Sequence, residues 1–142
     1  MTTKADFPFL FGFRVRYAEI DGQGVVFNAH YLTYFDVAIT EYFRDMGFDY
    51  VAYPRETGCD FHLVKSLVNY EKPLLFDTEF EVGCRCAKLG NSSLTFELAI
   101  FDKASETRYA TGEIVWVNTH QSTHKTHSVP DSIRKMITAY QA

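Results

Sequence analysis

An aspartate, Asp21, stands between a strand-like run and a bend marked by Gly22 and Gly24, and a long aromatic-rich segment follows. A carboxylate can act as a nucleophile or as a general base toward an acyl carbon. That chemistry also needs a place for the negative oxygen that forms. The start of a helix supplies one, because its first N–H groups are unpaired and carry roughly +0.5 charge from the helix dipole. Gly22 and Gly24 let the chain turn tightly and bring backbone N–H groups close to another molecule. With a helix beginning at about Asn28, Asp21 and the helix start can face one small volume, a layout suited to acyl transfer. An aspartate ahead of a glycine is also ordinary turn chemistry, so the residue types alone leave both readings open.

The elements that must position these residues follow from periodicity. Phe11, Phe13, Val15 and Tyr17 alternate with Gly12, Arg14, Arg16 and Ala18, the pattern of a half-buried strand. From Asn28 the period changes: Tyr31, Leu32, Phe35, Ile39, Tyr42, Phe43 and Met46 recur at helical spacing. Asn28 reads as the N-cap of this helix and Gly47 as its C-cap. Residues 48–58, with Pro54 and Gly58, read as a loop holding at most one irregular turn. Residues 61–70 read as a central strand, apolar on both faces and including His62, and Pro73 breaks it. Residues 76–89, 94–101 and 107–119 read as further strands, the first two joined at the hairpin signal "GNSS". After a polar stretch and Pro130, residues 131–140 read as a short helix starting near Asp131 or Ser132. The fold class expected is α+β, one domain over 1–142, with four successive strands in an antiparallel meander and the first strand in the same sheet.

Composition narrows the function. Hydrophobic residues make up 46% and aromatic residues 16% of the chain, with 13 Phe and 9 Tyr. A single layer of this size cannot easily hide so many rings, which predicts a subunit interface or a ligand pocket. The net charge of -4 argues against a nucleic-acid partner, while leaving room for an anionic small ligand on a local basic patch. No segment approaches a membrane span, and the N-terminal sequence lacks signal-peptide architecture. Three cysteines do not make a disulfide framework; Cys84 and Cys86 flank Arg85 on one strand face and read as packing, not as a zinc site. His120, His124 and His127 fall in a polar loop and read as solvated, not as metal ligands. A cytoplasmic protein without metal is expected.

The stretch "RVRYAEIDGQGVVFNAHYLTYFDVAITEYFR" resembles the opening motif of hotdog-fold acyl-CoA thioesterases of the 4-hydroxybenzoyl-CoA thioesterase group. Asp21, Gly24, Val26, Asn28, Tyr31 and Asp36 fit that motif in register. "VNYEKPLLFDTEFEV" resembles the family's later aromatic-x-x-Pro and strand, and "KLGNSSLTFELAIF" the hairpin after it. The likeness covers roughly residues 10 to 120. It implies a long central helix wrapped by a curved antiparallel sheet, sheets joined edge to edge in a homodimer, often paired again into a homotetramer, and active sites at the dimer interface. It implies Asp21 as nucleophile or general base, with the backbone N–H near Asn28 as oxyanion donor. Tyr17, Gly24, Val25, Phe27 and Tyr31 then border the substrate. Arg85, Lys88, Asn91, Ser92 and Ser93, around the hairpin, fall near the coenzyme A entrance.

The activity so implied is hydrolysis of an acyl-CoA thioester to a carboxylic acid and free CoA, with no cofactor beyond the CoA carried by the substrate. Many relatives have His where this chain has Asn28, and Asn cannot shuttle a proton at neutral pH. His30 lies two residues on and points away from the Asn28 direction. A second hotdog thioesterase group uses a carboxylate on the helix, which makes Asp36 a further candidate; Glu41 reads as a solvated or interface charge. The alternatives are a hotdog hydratase or dehydratase, against which Asn28 speaks, and a non-catalytic module that binds acyl-CoA or an aromatic ligand.

Overall fold

The computed structural model describes residues 2–142. Strands β1 (Phe9–Arg14), β2 (Cys59–Tyr70), β3 (Glu79–Leu89), β4 (Ser93–Asp102) and β5 (Arg108–His120) form one antiparallel sheet in the order β1-β3-β4-β5-β2. Helix α1 (His30–Asp45) packs on one sheet face; α2 (Ala52–Thr57) and α3 (Asp131–Gln141) are shorter. This is the α+β hotdog arrangement.

Helix α1 buries Tyr31, Tyr34, Phe35, Ala38, Ile39, Tyr42 and Phe43, which recur three and four residues apart. They meet the alternating inward residues of the sheet: Phe80, Val82, Cys84 and Cys86 of β3, Leu94, Phe96, Leu98 and Ile100 of β4, and Ile114 and Trp116 of β5. Aromatic rings dominate the contact, with Phe43 stacked 6.0 Å from Trp116 and Tyr34 4.8 Å from Phe80. Burying each large side chain contributes on the order of 1.5–3 kcal/mol relative to exposure. The helix ends where Gly47 takes φ +91: the Gly47 N–H bonds Arg44 O and the Phe48 N–H bonds Phe43 O, with the Phe43 and Phe48 rings 5.3 Å apart.

Three expectations are corrected. The strands after α1 do not form a four-strand meander. Only β3, β4 and β5 are successive neighbours, while β2 lies beyond β5 at the sheet edge. Residues 61–70 are therefore not a central strand, and His62 is exposed, bonded to Gln121. The link from β2 to β3, residues 71–78, crosses past the start of α1, held by Glu71 and Lys72 N–H bonds to Tyr109 O and by the Val15 and Thr78 backbones. The 48–58 segment contains the helix α2, which tolerates Pro54 because the first turn of a helix has no partner for that N–H. Finally, Asn28 is not the side-chain cap of α1. Phe27 O takes the His30 N–H and Asn28 O the Tyr31 N–H, so backbone closes the first turn and Ala29 is the N-cap.

Candidate active site

The loop carrying Asp21 is a small hairpin. Its legs are tied by the Phe27 N–H to Glu19 O, the Asp21 N–H to Val25 O, and an Ile20–Val26 bridge. The Gly24 N–H returns to Asp21 O, and Gly24 holds φ +77, a conformation a side chain would strain. These bonds describe a three-residue hairpin loop closed by a left-handed glycine. The far leg then docks on the crossover: the Val26 N–H bonds Leu74 O, and Val25 bridges Leu75. So the sequence Asp-Gly-Gln-Gly makes a turn, as its composition suggests, and the turn delivers Asp21 to the start of α1.

Asp21 is half-buried. Its Oδ1 accepts the Gln23 N–H at 2.8 Å, which fixes the carboxylate's orientation. Among the described residues Oδ2 has no partner. The carboxylate lines a groove of about 330 Å³ together with Gln23, Val25, Asn28, Tyr31, Tyr70 and Lys72. At the helix start, neither the Asn28 nor the Ala29 N–H has an acceptor among the described residues. Both sit at the positive end of the α1 dipole. The Tyr70 hydroxyl donates to Asn28 O at 3.1 Å, and the Tyr70 ring meets Tyr31 edge-on at 4.9 Å. Tyr31 is buried; its hydroxyl accepts the Leu74 N–H at 3.4 Å, and burial holds its phenol protonated above the ordinary range. The groove thus brings together a carboxylate with one free oxygen, Asn28 at the unpaired start of α1, and an aromatic wall.

Beyond this groove, Leu32 and Asp36 follow on α1, four and eight residues after Asn28. Leu32 and Asp36 line a smaller, mostly apolar cleft of about 80 Å³ with Ile39, Leu63, Ser66, Ile114 and Trp116. A larger hollow of about 460 Å³ on the opposite sheet face offers less chemistry. Its carboxylates are engaged, Glu97 by Arg85 and Glu113 by Lys65.

Of the residues singled out by sequence, Asp21, Val25, Asn28 and Tyr31 line one groove, and Gly24 shapes the turn beside it. Phe27 is exposed against His30, and Tyr17 is 75% exposed, its ring edge-on to Phe76 at 5.7 Å; neither lines the groove. Arg85, Lys88, Asn91, Ser92 and Ser93 lie elsewhere in the same protomer. The Asp21 hairpin docks through Val25 on Leu75, just before β3, and the hairpin of residues 90–93 follows the far end of that eleven-residue strand, roughly 35 Å along it. Arg85 is committed to Glu97, with bonds at 2.6 and 3.0 Å, and to Asp6 O. Asn91 O accepts from Arg134 and from the Val129 N–H, and Ser92 O from the Asn118 N–H. The His120 and His127 rings lie 5.4 Å apart, and no group of three His, Cys, Asp or Glu side chains among the described residues is arranged to hold a metal. Cys84 and Cys86 are buried under α1; burial pushes the Cys86 thiol up to about 11. Sequence reading passed over Gln23, Lys72 and Glu19. Lys72 lies inside the aromatic-x-x-Pro run, and Glu19 only two residues before Asp21, but no periodicity marks either.

Comparison with known proteins fits this geometry. Residues 15–137 match the family model described as thioesterase-like superfamily. A protein of Aquifex aeolicus (strain VF5), provisionally named an esterase, is 35% identical over 94 residues, which are 66% of this chain and 73% of that one. The crystal structure of the PA5185 protein from Pseudomonas aeruginosa strain PAO1 superposes with a TM-score of 0.85 at 27% identity, covering 99% of this chain and 96% of that one. That of a DHNA-CoA thioesterase from Staphylococcus aureus superposes with a TM-score of 0.84 at 22% identity, covering 93% and 89%. This chain belongs to the thioesterase-like superfamily: it is a thioester hydrolase built on the hotdog fold.

Proposed function

We propose that the protein hydrolyses acyl-CoA thioesters, with Asp21 as the reacting carboxylate. The observation that carries this reading is the groove itself, lined both by Asp21, with one oxygen free, and by Asn28 at the unpaired start of α1. The thioester carbonyl oxygen docks on the Asn28 and Ala29 N–H groups, which stabilise the negative charge as it develops. The Asp21 Oδ2 then either attacks the carbonyl carbon, expelling CoA thiolate and leaving a mixed anhydride for water to open, or takes a proton from a water that attacks directly. The Gln23 N–H on Oδ1 keeps the carboxylate aimed in both routes. Neither route calls for a cofactor. The acyl group extends toward the Leu32–Asp36 cleft, where an apolar lining suits its hydrocarbon.

The working enzyme in this reading is a homo-oligomer. Strand β2 is an unpaired edge of twelve residues with Leu63, Val64, Leu67 and Tyr70 exposed, a surface that invites a second strand. Antiparallel pairing of two such edges sets the Tyr70 end of one protomer beside the Cys59 end of the other. In that partner, Phe61 pairs with Asn118, whose N–H bonds Ser92 O. The hairpin with Lys88, Asn91, Ser92 and Ser93 would thus serve the neighbouring protomer's Asp21, with CoA bridging the two.

The test is free-thiol release across benzoyl-, short-, medium- and long-chain acyl-CoAs. Turnover of at least one class is expected. Tight acyl-CoA binding without thiol release from any would point to a non-catalytic binding module. Hydration of enoyl-CoA would point to a hydratase.

A further inference from the structure

Glu19 is the only buried charged side chain among the described residues, 7% exposed. Three groups converge on its carboxylate: the Tyr34 hydroxyl at 2.8 Å, the Arg16 backbone N–H at 2.8 Å, and the Arg16 guanidinium at 3.0 Å. Tyr34 belongs to α1 and packs between Phe13 and Phe80, so this bond anchors the hairpin to the helix. The backbone of Glu19 is engaged as well. Its carbonyl accepts the Phe27 N–H at 2.9 Å, the residue just ahead of the free Asn28 and Ala29 donors. Asp21 follows Glu19 by two residues on the other leg. One residue therefore sets both the leg that carries the carboxylate and the leg that leads to the oxyanion donors, and references both to α1. A buried charge held this way resists displacement, because breaking any one of its bonds leaves it partly unpaired in the core.

We infer that Glu19 is a positioning residue for catalysis, fixing Asp21 relative to the helix start through Tyr34 and Arg16. This inference rests on the proposed role of Asp21. Misplacing a reacting group by about 1 Å can cost on the order of 100-fold in rate, whereas substrate contacts elsewhere in the groove are untouched.

The experiment compares the full-length protein with Glu19→Gln, Tyr34→Phe and Asp21→Asn, and with both changes in the Asp21→Asn background. Glu19→Gln turns an amide NH₂ toward donors it cannot pair with. Tyr34→Phe keeps the ring packing and removes a single bond, so it gives the same reading should Glu19→Gln fail to fold by circular dichroism. The expected result is a kcat reduced about tenfold or more in Glu19→Gln and severalfold in Tyr34→Phe, with KM for the acyl-CoA within about twofold. In the Asp21→Asn background each change should cost less than in the parent, since there is no carboxylate left to aim and only the placement of the oxyanion donors remains to be lost. An unchanged kcat in folded Glu19→Gln, or in Tyr34→Phe where Glu19→Gln does not fold, overturns the inference while leaving a disabled Asp21→Asn in place. So do equal losses in the parent and Asp21→Asn backgrounds, which mark a purely structural role. If Asp21→Asn itself turns over at the parental rate, the Asp21 reading fails and takes this inference with it.

Discussion

Replacing Gly112 by alanine adds one methyl group at a point where helix and sheet touch. Gly112 lies in β5, paired with Val68 and Leu98, beneath the Phe35 ring of α1. A Cβ there would stand 2.2 Å from Phe35 Cε2, 2.7 Å from Cζ and 3.0 Å from Cδ2. Ordinary contact requires the ring to retreat by roughly 1 Å or more. Phe35 is fully buried on a rigid helix, so its retreat displaces α1 or forces the ring off its rotamer. Overpacking of this kind costs about 1–3 kcal/mol, and a rigid ring with no exposed side places it near 3. For a chain of 142 residues, that lowers Tm by about 6–12 °C. Gly12→Ala in β1 is the matched control, because nothing lies within 4 Å of its added Cβ. Thermal melts of both variants by circular dichroism decide the matter. A Gly112→Ala variant melting within about 2 °C of Gly12→Ala would refute the packing described here, on the scale of a few degrees per kcal/mol.

Three further outcomes are expected. Burial pushes the Glu19 carboxyl up, but the bonds from Arg16 and Tyr34 outweigh it and hold the group below its ordinary value of 4.5. Its stabilisation is therefore full above that value and is lost as pH falls through the lower folded one. The Tm gap between parent and Glu19→Gln should accordingly shrink on going from pH 6 to pH 3, and a gap independent of pH would contradict this. Cys84 and Cys86 are buried thiols whose desolvation keeps them protonated, Cys86 up to about 11. Iodoacetamide at pH 8 should leave both unlabelled in the native protein and label both in denaturant; rapid native labelling would show that the α1–β3 packing is wrong. Leu63→Lys with Leu67→Lys puts charge along the β2 edge and should convert an oligomer to a monomer in light scattering, with loss of turnover; an unchanged mass would place the interface elsewhere.

Helix α1 was legible because its apolar residues keep a 3.6 period over four turns, and β3 and β5 because they alternate over most of their length; β4 alternates only in its first half, with Leu98, Ala99, Ile100 and Phe101 all buried. What periodicity cannot encode is which strands pair. The β2 sequence, with Leu63, Val64, Leu67 and Val68 on both faces, reads like a central strand, yet in the protomer it is an edge with Leu63 and Val64 both 59% exposed. The resemblance to a dimeric family anticipated such a surface; the strand's own pattern did not. Pro54 concealed α2, since proline breaks a helix interior but not a first turn. At the candidate site, Asp21 and Gly24 stood out by type and spacing, and Tyr31 through the family resemblance. Glu19 did not, because a glutamate two residues before a bend carries no sign that Tyr34, fifteen residues away, will close over it. Asn28 was read as a capping side chain and, through the resemblance, as a backbone N–H donor; the structure shows no side-chain cap there and, among the described residues, leaves the N–H without an acceptor. The hairpin residues around Asn91 are chemically suited to a phosphate-bearing ligand, and their separation from Asp21 only becomes visible once the strand order is known.

The steady-state kcat of Asp21→Asn on the best acyl-CoA substrate tests the account most directly. Asparagine keeps the side-chain shape and can still accept the Gln23 N–H, but it can neither attack a thioester as a carboxylate nor take a proton from water. The rate should fall on the order of 10²–10⁴-fold with the fold intact. Turnover at the parental rate in a folded Asp21→Asn protein would show that the chemistry happens somewhere else.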